Sequence, residues 1–162
     1  MDEAEIDRLT AARRSELGLS TAEHERGAEL DRLAARLLGE RQFAVFRELA
    51  VLPRELSEDE EVLDLAYAHL FFGGGLLVLT DRQILFVNHR ILLPGVTIKS
   101  FPLGTVRAHS VVMKRDFGRL RLWFNREGWN ADCEFDNIKP AERALAIEAK
   151  LSELLGRPAD SM

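Results

Sequence analysis

A chain of 162 residues, 46% apolar and 30% charged, is ordinary globular material, enough for one domain with an appendage. Its 22 basic and 27 acidic side chains leave a net charge of −5, which argues against a general nucleic-acid binder. A single cysteine, Cys133, excludes an intrachain disulfide and fits a cytosolic protein, and the acidic start Met1-Asp2-Glu3-Ala4-Glu5 is wrong for a secretory signal. The acid is concentrated early: residues 1–60 carry 9 basic and 15 acidic groups, whereas residues 61–137 carry 9 and 8.

Residues 1–51 read as a helical extension. Ile6, Leu9 and Arg13 set a weak first stripe that ends near Gly18. Ser20-Thr21-Ala22-Glu23 has the form of a capping box, after which Leu30, Leu33, Leu37 and Leu38 share one helical face until Gly39. Phe43, Phe46, Leu49 and Ala50 make a third short apolar face, which Pro53 closes. These faces pack on the rest of the chain or on each other, or they make it a homo-oligomer through its N-terminal helices.

Residues 52–156 read as the main domain, with 157–162 a loose tail. A strand is expected from about Glu61 to Phe71, with Leu63, Leu65 and Tyr67 alternating against Asp64, Ala66 and Ala68. Strands follow at Leu76–Leu79 and Ile84–Asn88 around the tight turn Thr80-Asp81-Arg82, then at Thr97–Phe101 and Thr105–Met113. The apolar stretch Leu65 to Thr80 holds three glycines and falls short of the ~20 residues of a membrane span.

A last hairpin joins Gly118–Phe124 to Trp129–Asp136 through a four-residue loop. Pairing Phe124 with Trp129 sets Leu122 against Ala131 and Leu120 against Cys133 on one face. On the other face Arg121 meets Asp132 and Arg119 meets Glu134. Cys133 is thereby a core residue, and the two arginines are partnered surface groups. One amphipathic helix, residues 137–155, ends the domain; Ala144, Ile147, Leu151, Leu154 and Leu155 form its apolar stripe.

Helices, about seven strands and one closing helix follow the order of a pleckstrin-homology (PH) domain. The chain resembles the YokE-like bacterial PH family over roughly residues 40–155. The matching residues are Glu61-Val62-Leu63, the run Leu77 to Val87 across the second hairpin, Ser100-Phe101-Pro102-Leu103 leading into Val106, and the helix from Pro140. The resemblance implies an α+β fold, a partly open antiparallel barrel capped by the C-terminal helix, in a bacterial cytoplasm. No catalytic residues come with it.

No residue set supplies acid, base and nucleophile together, so no enzyme and no cofactor is expected. His24, His69, His89 and His109 lie on different elements without metal-ligand spacing, so no metal is expected either. Six cations against Asp116 between Arg107 and Arg126 are the main electrostatic feature. Pairing of Arg119 and Arg121 leaves Arg107, Lys114, Arg115 and Arg126, expected near one end of the barrel. Phe71-Phe72, beside Gly73-Gly74-Gly75, is a candidate apolar tip. Trp123, on the face of Arg119 and Arg121, is a candidate binding anchor. The expected function is a non-enzymatic interaction module for protein–protein binding or self-assembly, and the alternative is peripheral binding to anionic lipid. The first–second strand loop, Phe71–Gly75, holds no Lys or Arg, which ranks protein binding first.

Overall fold

A layer of helices covers one face of a curled sheet, and a single helix closes the other. The computed structural model describes residues 2–70, 73–89, 96–126 and 129–156. Helix α1 (Glu3–Leu17) starts on the Asp2 carboxylate, which accepts the Glu5 N–H at 2.8 Å, and ends on Gly18 with φ 68°. Its inward face is Ile6, Thr10 and Arg14, one register away from the expected Leu9 and Arg13. The inner position goes to a charged side chain because Arg14 meets a buried partner: two guanidinium nitrogens donate to the two oxygens of Asp31, both at 2.7 Å.

Asp31 belongs to α2 (Thr21–Leu38), which opens on the capping box foreseen at Ser20 and Glu23. Leu30, Ala34 and Leu38 of α2 are buried. A 3-10 stretch (Gly39–Val45) leads to α3 (Phe46–Glu55). Pro53 does not close α3, which runs two residues further and so spans position 51. A proline lacks the N–H that Leu49 O would have accepted; that carbonyl takes an Arg14 N–H at 3.4 Å instead.

Seven strands follow: β1 (Val62–Leu70), β2 (Gly73–Thr80), β3 (Gln83–His89), β4 (Val96–Pro102), β5 (Val106–Met113), β6 (Gly118–Arg126) and β7 (Trp129–Lys139). They form one antiparallel sheet in the order β4-β3-β2-β1-β7-β6-β5. Helix α4 (Glu142–Leu155) lies inside the curl, with Ala144, Ile147 and Leu151 buried. The result is an α+β half-barrel with a C-terminal helix and an N-terminal helical part, consistent with a PH-like fold.

Strands β1–β3 are buried on both faces. Leu65, Leu76, Val78, Leu85 and Val87 pack under Leu30, Ala34, Leu38, Leu49 and Leu52 of the helical layer. Ala66, Ala68, Leu77, Leu79, Ile84 and Phe86 face the barrel interior with Leu120, Phe135 and α4. Two-sided burial explains why β2 and β3 are unbroken apolar runs rather than alternating ones. The helical faces at Leu30–Leu38 and around Leu49 are thus covered within the chain. In β1 a register shift between Val62 and Asp64 turns Leu63 to the barrel side, against the simple alternation expected. Asp64, fully buried, receives Arg143 at 3.2 Å and Lys150 at 2.8 Å, which ties α4 to β1.

Two local expectations are corrected. In the last hairpin Arg126 pairs with Trp129, so the connection has two residues rather than four, and the cross-strand partners from Leu120 onward move by two. Leu122 faces Cys133, and Leu120 faces Phe135. A slip of two keeps each side chain on its face, so the apolar side survives. Arg121 still bonds Asp132, now diagonally, while Arg119 takes Asp136 at 2.8 Å in place of Glu134. The closing helix begins at Glu142, because β7 continues to Lys139. Asn137, expected to start the helix, sits instead at φ 51° where the β1–β7 register shifts. The tail 157–162 lies outside the described residues.

Candidate functional site

The basic residues singled out from sequence do not come together. Val106 pairs with Phe124 and Met113 with Gly118, so β5 runs the length of β6. Arg107 stands exposed near the first pair, and Lys114 and Arg115 stand exposed beyond the second. Seven residues of strand put about 23 Å between the two ends. Arg126 lies at the Arg107 end by its backbone, and its side chain lies outside the described residues. Expected near one end, the cations occupy two.

Trp123 is half-buried, and the Arg121 guanidinium sits 5.0 Å over its ring. Phe71 and Phe72 lie outside the described residues. Cys133 is 7% exposed and belongs to the barrel core. Burial pushes its thiol up to about 12. At pH 8 the native chain is therefore expected to react with iodoacetamide far more slowly than the urea-unfolded chain, because only the thiolate attacks. Equal labelling rates would contradict its placement.

The histidines remain apart. His69 shares a hydrogen bond with the Tyr67 hydroxyl at 2.8 Å, and His109, fully buried, faces Glu148 of α4 at 3.8 Å. Among the described residues no group of three or more His, Cys, Asp or Glu could hold a metal ion. Nor is any described helix long and apolar enough to cross a membrane.

A cleft of about 900 Å³ opens between the start of α2 and the segment joining α3 to β1. Its floor is apolar: Leu30, Leu33, Pro53, Leu56 and Val62. Its rim is acidic: Glu23, Glu25 and Glu29 from α2, and Glu58, Asp59 and Glu61 from the facing segment. Helical spacing puts Glu25 and Glu29 one turn apart on a single edge.

The facing segment is held by buried polar bonds. Ser57 N–H donates to Glu60 Oε1 at 3.2 Å, giving a turn. The buried Glu60 carboxylate then accepts Thr80 Oγ1 at 2.7 Å and Gln83 Nε2 at 2.8 Å. Thr80 Oγ1 accepts the Arg82 and Gln83 amides at 3.1 and 3.0 Å, so the Thr80-Asp81-Arg82 turn is structural. Arg26, the only basic residue lining the cleft among the described residues, is bound to the backbone carbonyls of Ser57 and Glu60. It links the two walls. Asp59 pairs with Arg82 at 2.6 Å, whose hydrogen bond holds its carboxyl below the usual range. Glu23 lies low as well, through its backbone bond to Ser20. Glu25, Glu29, Glu58 and Glu61 are exposed and make no ion pair among the described residues. The cleft is thus an apolar trough under a negative rim.

A smaller pocket of about 410 Å³ lies between α3 and the ends of β2 and β3, lined by Phe43, Phe46, Arg47, Glu48, Tyr67, Gly74 and His89. Glu48 is 6% exposed, and burial pushes its carboxyl above its ordinary value despite the His89 amide it accepts at 3.1 Å. A raised folded value means that Glu48 favours the fold most when protonated in both states. That contribution is lost as pH rises through the folded value. The Glu48→Gln chain should therefore gain stability on the parent as pH rises above the ordinary glutamate range of about 4. Urea midpoints of both chains at rising pH check it; a constant gap would contradict it.

Sequence reasoning missed both concavities. The cleft had a signal, the acid concentrated in residues 1–60 with the run Glu58 to Glu61, but nothing local placed that run opposite α2. No family model and no curated protein matches the chain. A similar solved structure is the hSac2 domain from human phosphoinositide phosphatase Sac2, 12% identical over 62% of this chain and 71% of that one, with a TM-score of 0.45.

Proposed function

We propose that the chain is a non-enzymatic, PH-like interaction module that docks a basic, partly apolar segment of a protein partner in the cleft between α2 and the α3–β1 connection. The observation that carries this reading is the trough itself: half-exposed Leu33, Leu56 and Val62 beneath Glu25, Glu29, Glu58 and Glu61. An apolar floor rewards desolvation, and a rim of one sign selects a partner of the other and speeds its encounter. The Arg26 guanidinium keeps its charge but is tied to backbone carbonyls of the facing wall and is outnumbered by the acidic rim. The walls are ordered by buried bonds, so docking need not organise them first.

Peripheral membrane binding has less support. Its cations stand at opposite ends of β5, and the acid rim would face any anionic surface brought to the helical side.

Titration of the full chain with a fluorescein-labelled peptide of alternating Lys and Leu tests the reading. Saturable binding is expected, weakening with salt as exposed charges are screened. The triple variant Glu25→Lys, Glu29→Lys, Glu58→Lys should bind at least about tenfold more weakly with an unchanged melting temperature. The Glu/Leu counterpart peptide should not bind. Equal affinity of parent and variant for the Lys/Leu peptide would overturn the assignment.

A further inference from the structure

We propose that the pocket between α3 and the ends of β2 and β3 binds a primary ammonium group on a short apolar stem, with Glu48 as its counter-ion. This site is separate from the acid-rimmed cleft and does not depend on that reading.

Glu48 is 94% buried, since 6% of its surface is exposed, and it lines the pocket. One carboxylate oxygen, Oε1, accepts the His89 N–H at 3.1 Å, and Glu48's own backbone N–H also supports the carboxylate; no ion pair to it is seen among the described residues. A buried carboxylate without a counter-ion invites a positive donor, which returns most of the cost of burying the charge. The groups facing Glu48 are few. Arg47, beside it on α3, is exposed and rests its guanidinium 5.2 Å over the Phe46 ring. Tyr67 of β1 turns its hydroxyl to His69 at 2.8 Å. His89 of β3 presents its backbone N–H, while its Nδ1 is buried without a hydrogen-bond partner.

The remaining wall is aromatic. Phe43 and Phe46 stack at 5.7 Å between centroids, and Phe43 is 43% exposed. Ring faces attract a cation and accept an apolar stem. Gly74 lets the Tyr67 hydroxyl lie close over the start of β2, because a Cβ there would overlap it. A buried carboxylate, a hydroxyl-bearing ring and the exposed Phe43 ring around 410 Å³, with Arg47 drawn onto Phe46, suit a small amine or a lysine side chain.

The test is a 1H–15N NMR titration of the full chain with n-pentylammonium, with pentanoate as the anionic control and the peptide acetyl-Gly-Lys-Gly-amide as a second source of the same group. Saturable shifts at the Glu48, Gly74 and His89 amides are expected with the amines and not with pentanoate. Stronger binding of pentylammonium assigns the pocket to a free amine; stronger binding of the peptide assigns it to a lysine side chain. Phe43→Ala, at an exposed position, should weaken amine binding about threefold without altering the fold. Binding should fall as pH drops through the titration of Glu48, because the neutral acid offers no counter-charge. The proposal is overturned if the amines give no saturable shift, or if Glu48→Gln, folded by its melting curve, binds them as the parent does.

Discussion

Replacing Asp31 with Ala is expected to destabilise the chain by about 3–5 kcal/mol, the range for breaking a buried ion pair from one side. The Arg14 side chain is 2% exposed and lies between α1, α2 and α3, where it holds Asp31 through two bonds of 2.7 Å and reaches Leu49 O at 3.4 Å. Without the carboxylate its charge has neither water nor a counter-ion. The site is tight as well, since a Cβ at Gly27 would overlap the Arg14 guanidinium. Burial pushes the Asp31 carboxyl above its ordinary value even beside Arg14, so desolvation outweighs the pairing at this position. The pair fixes how the helices meet more than it stabilises them. Joint replacement of Arg14 and Asp31 by Leu should therefore cost much less than Asp31→Ala alone, and urea unfolding of both variants checks the inequality. A double variant as unstable as the single one would contradict it.

Truncating Leu49 or Leu120 to Ala should cost about 2–5 kcal/mol each, and either should lower one shared unfolding transition. Both side chains are fully buried, Leu49 in the layer between helices and sheet and Leu120 inside the barrel. The two cores are the opposite faces of β1–β3: Leu65 points to one and Ala66 to the other. Loss of the helical layer would expose Leu65, Leu76, Val78, Leu85 and Val87 together. Calorimetry of both variants separates the alternatives. A helical layer that melted early in Leu49→Ala, leaving the sheet transition in place, would show an independent appendage.

The sequence pattern made the seven strands and the closing helix legible because each has its own period, turn residues or apolar run. Leu76–Leu79 and Ile84–Asn88 read as strands, but nothing local said that both their faces are covered or by what. The hairpin register slipped by two because counting back from Phe124 and Trp129 satisfies the same face alternation as the true pairing. Asn137 and Pro140 look like the start of a helix, but the demand of β1 for a partner as far as Lys139 overrode them. Arg14 on an inward face and Glu48 under β3 left no local trace, since charged residues on helices are ordinarily solvated. The cleft needed three-dimensional information too, because its rim joins residues 23–29 to residues 58–61.

The most direct test of the docking reading is where a basic peptide lands. In 1H–15N spectra of the full chain titrated with the Lys/Leu peptide, the largest shifts are expected at Glu25, Glu29, Leu33, Leu56, Glu58 and Val62, with β5 and β6 unchanged. Shifts centred on Trp123, or spread evenly over the acidic surface, would contradict the cleft as the binding site.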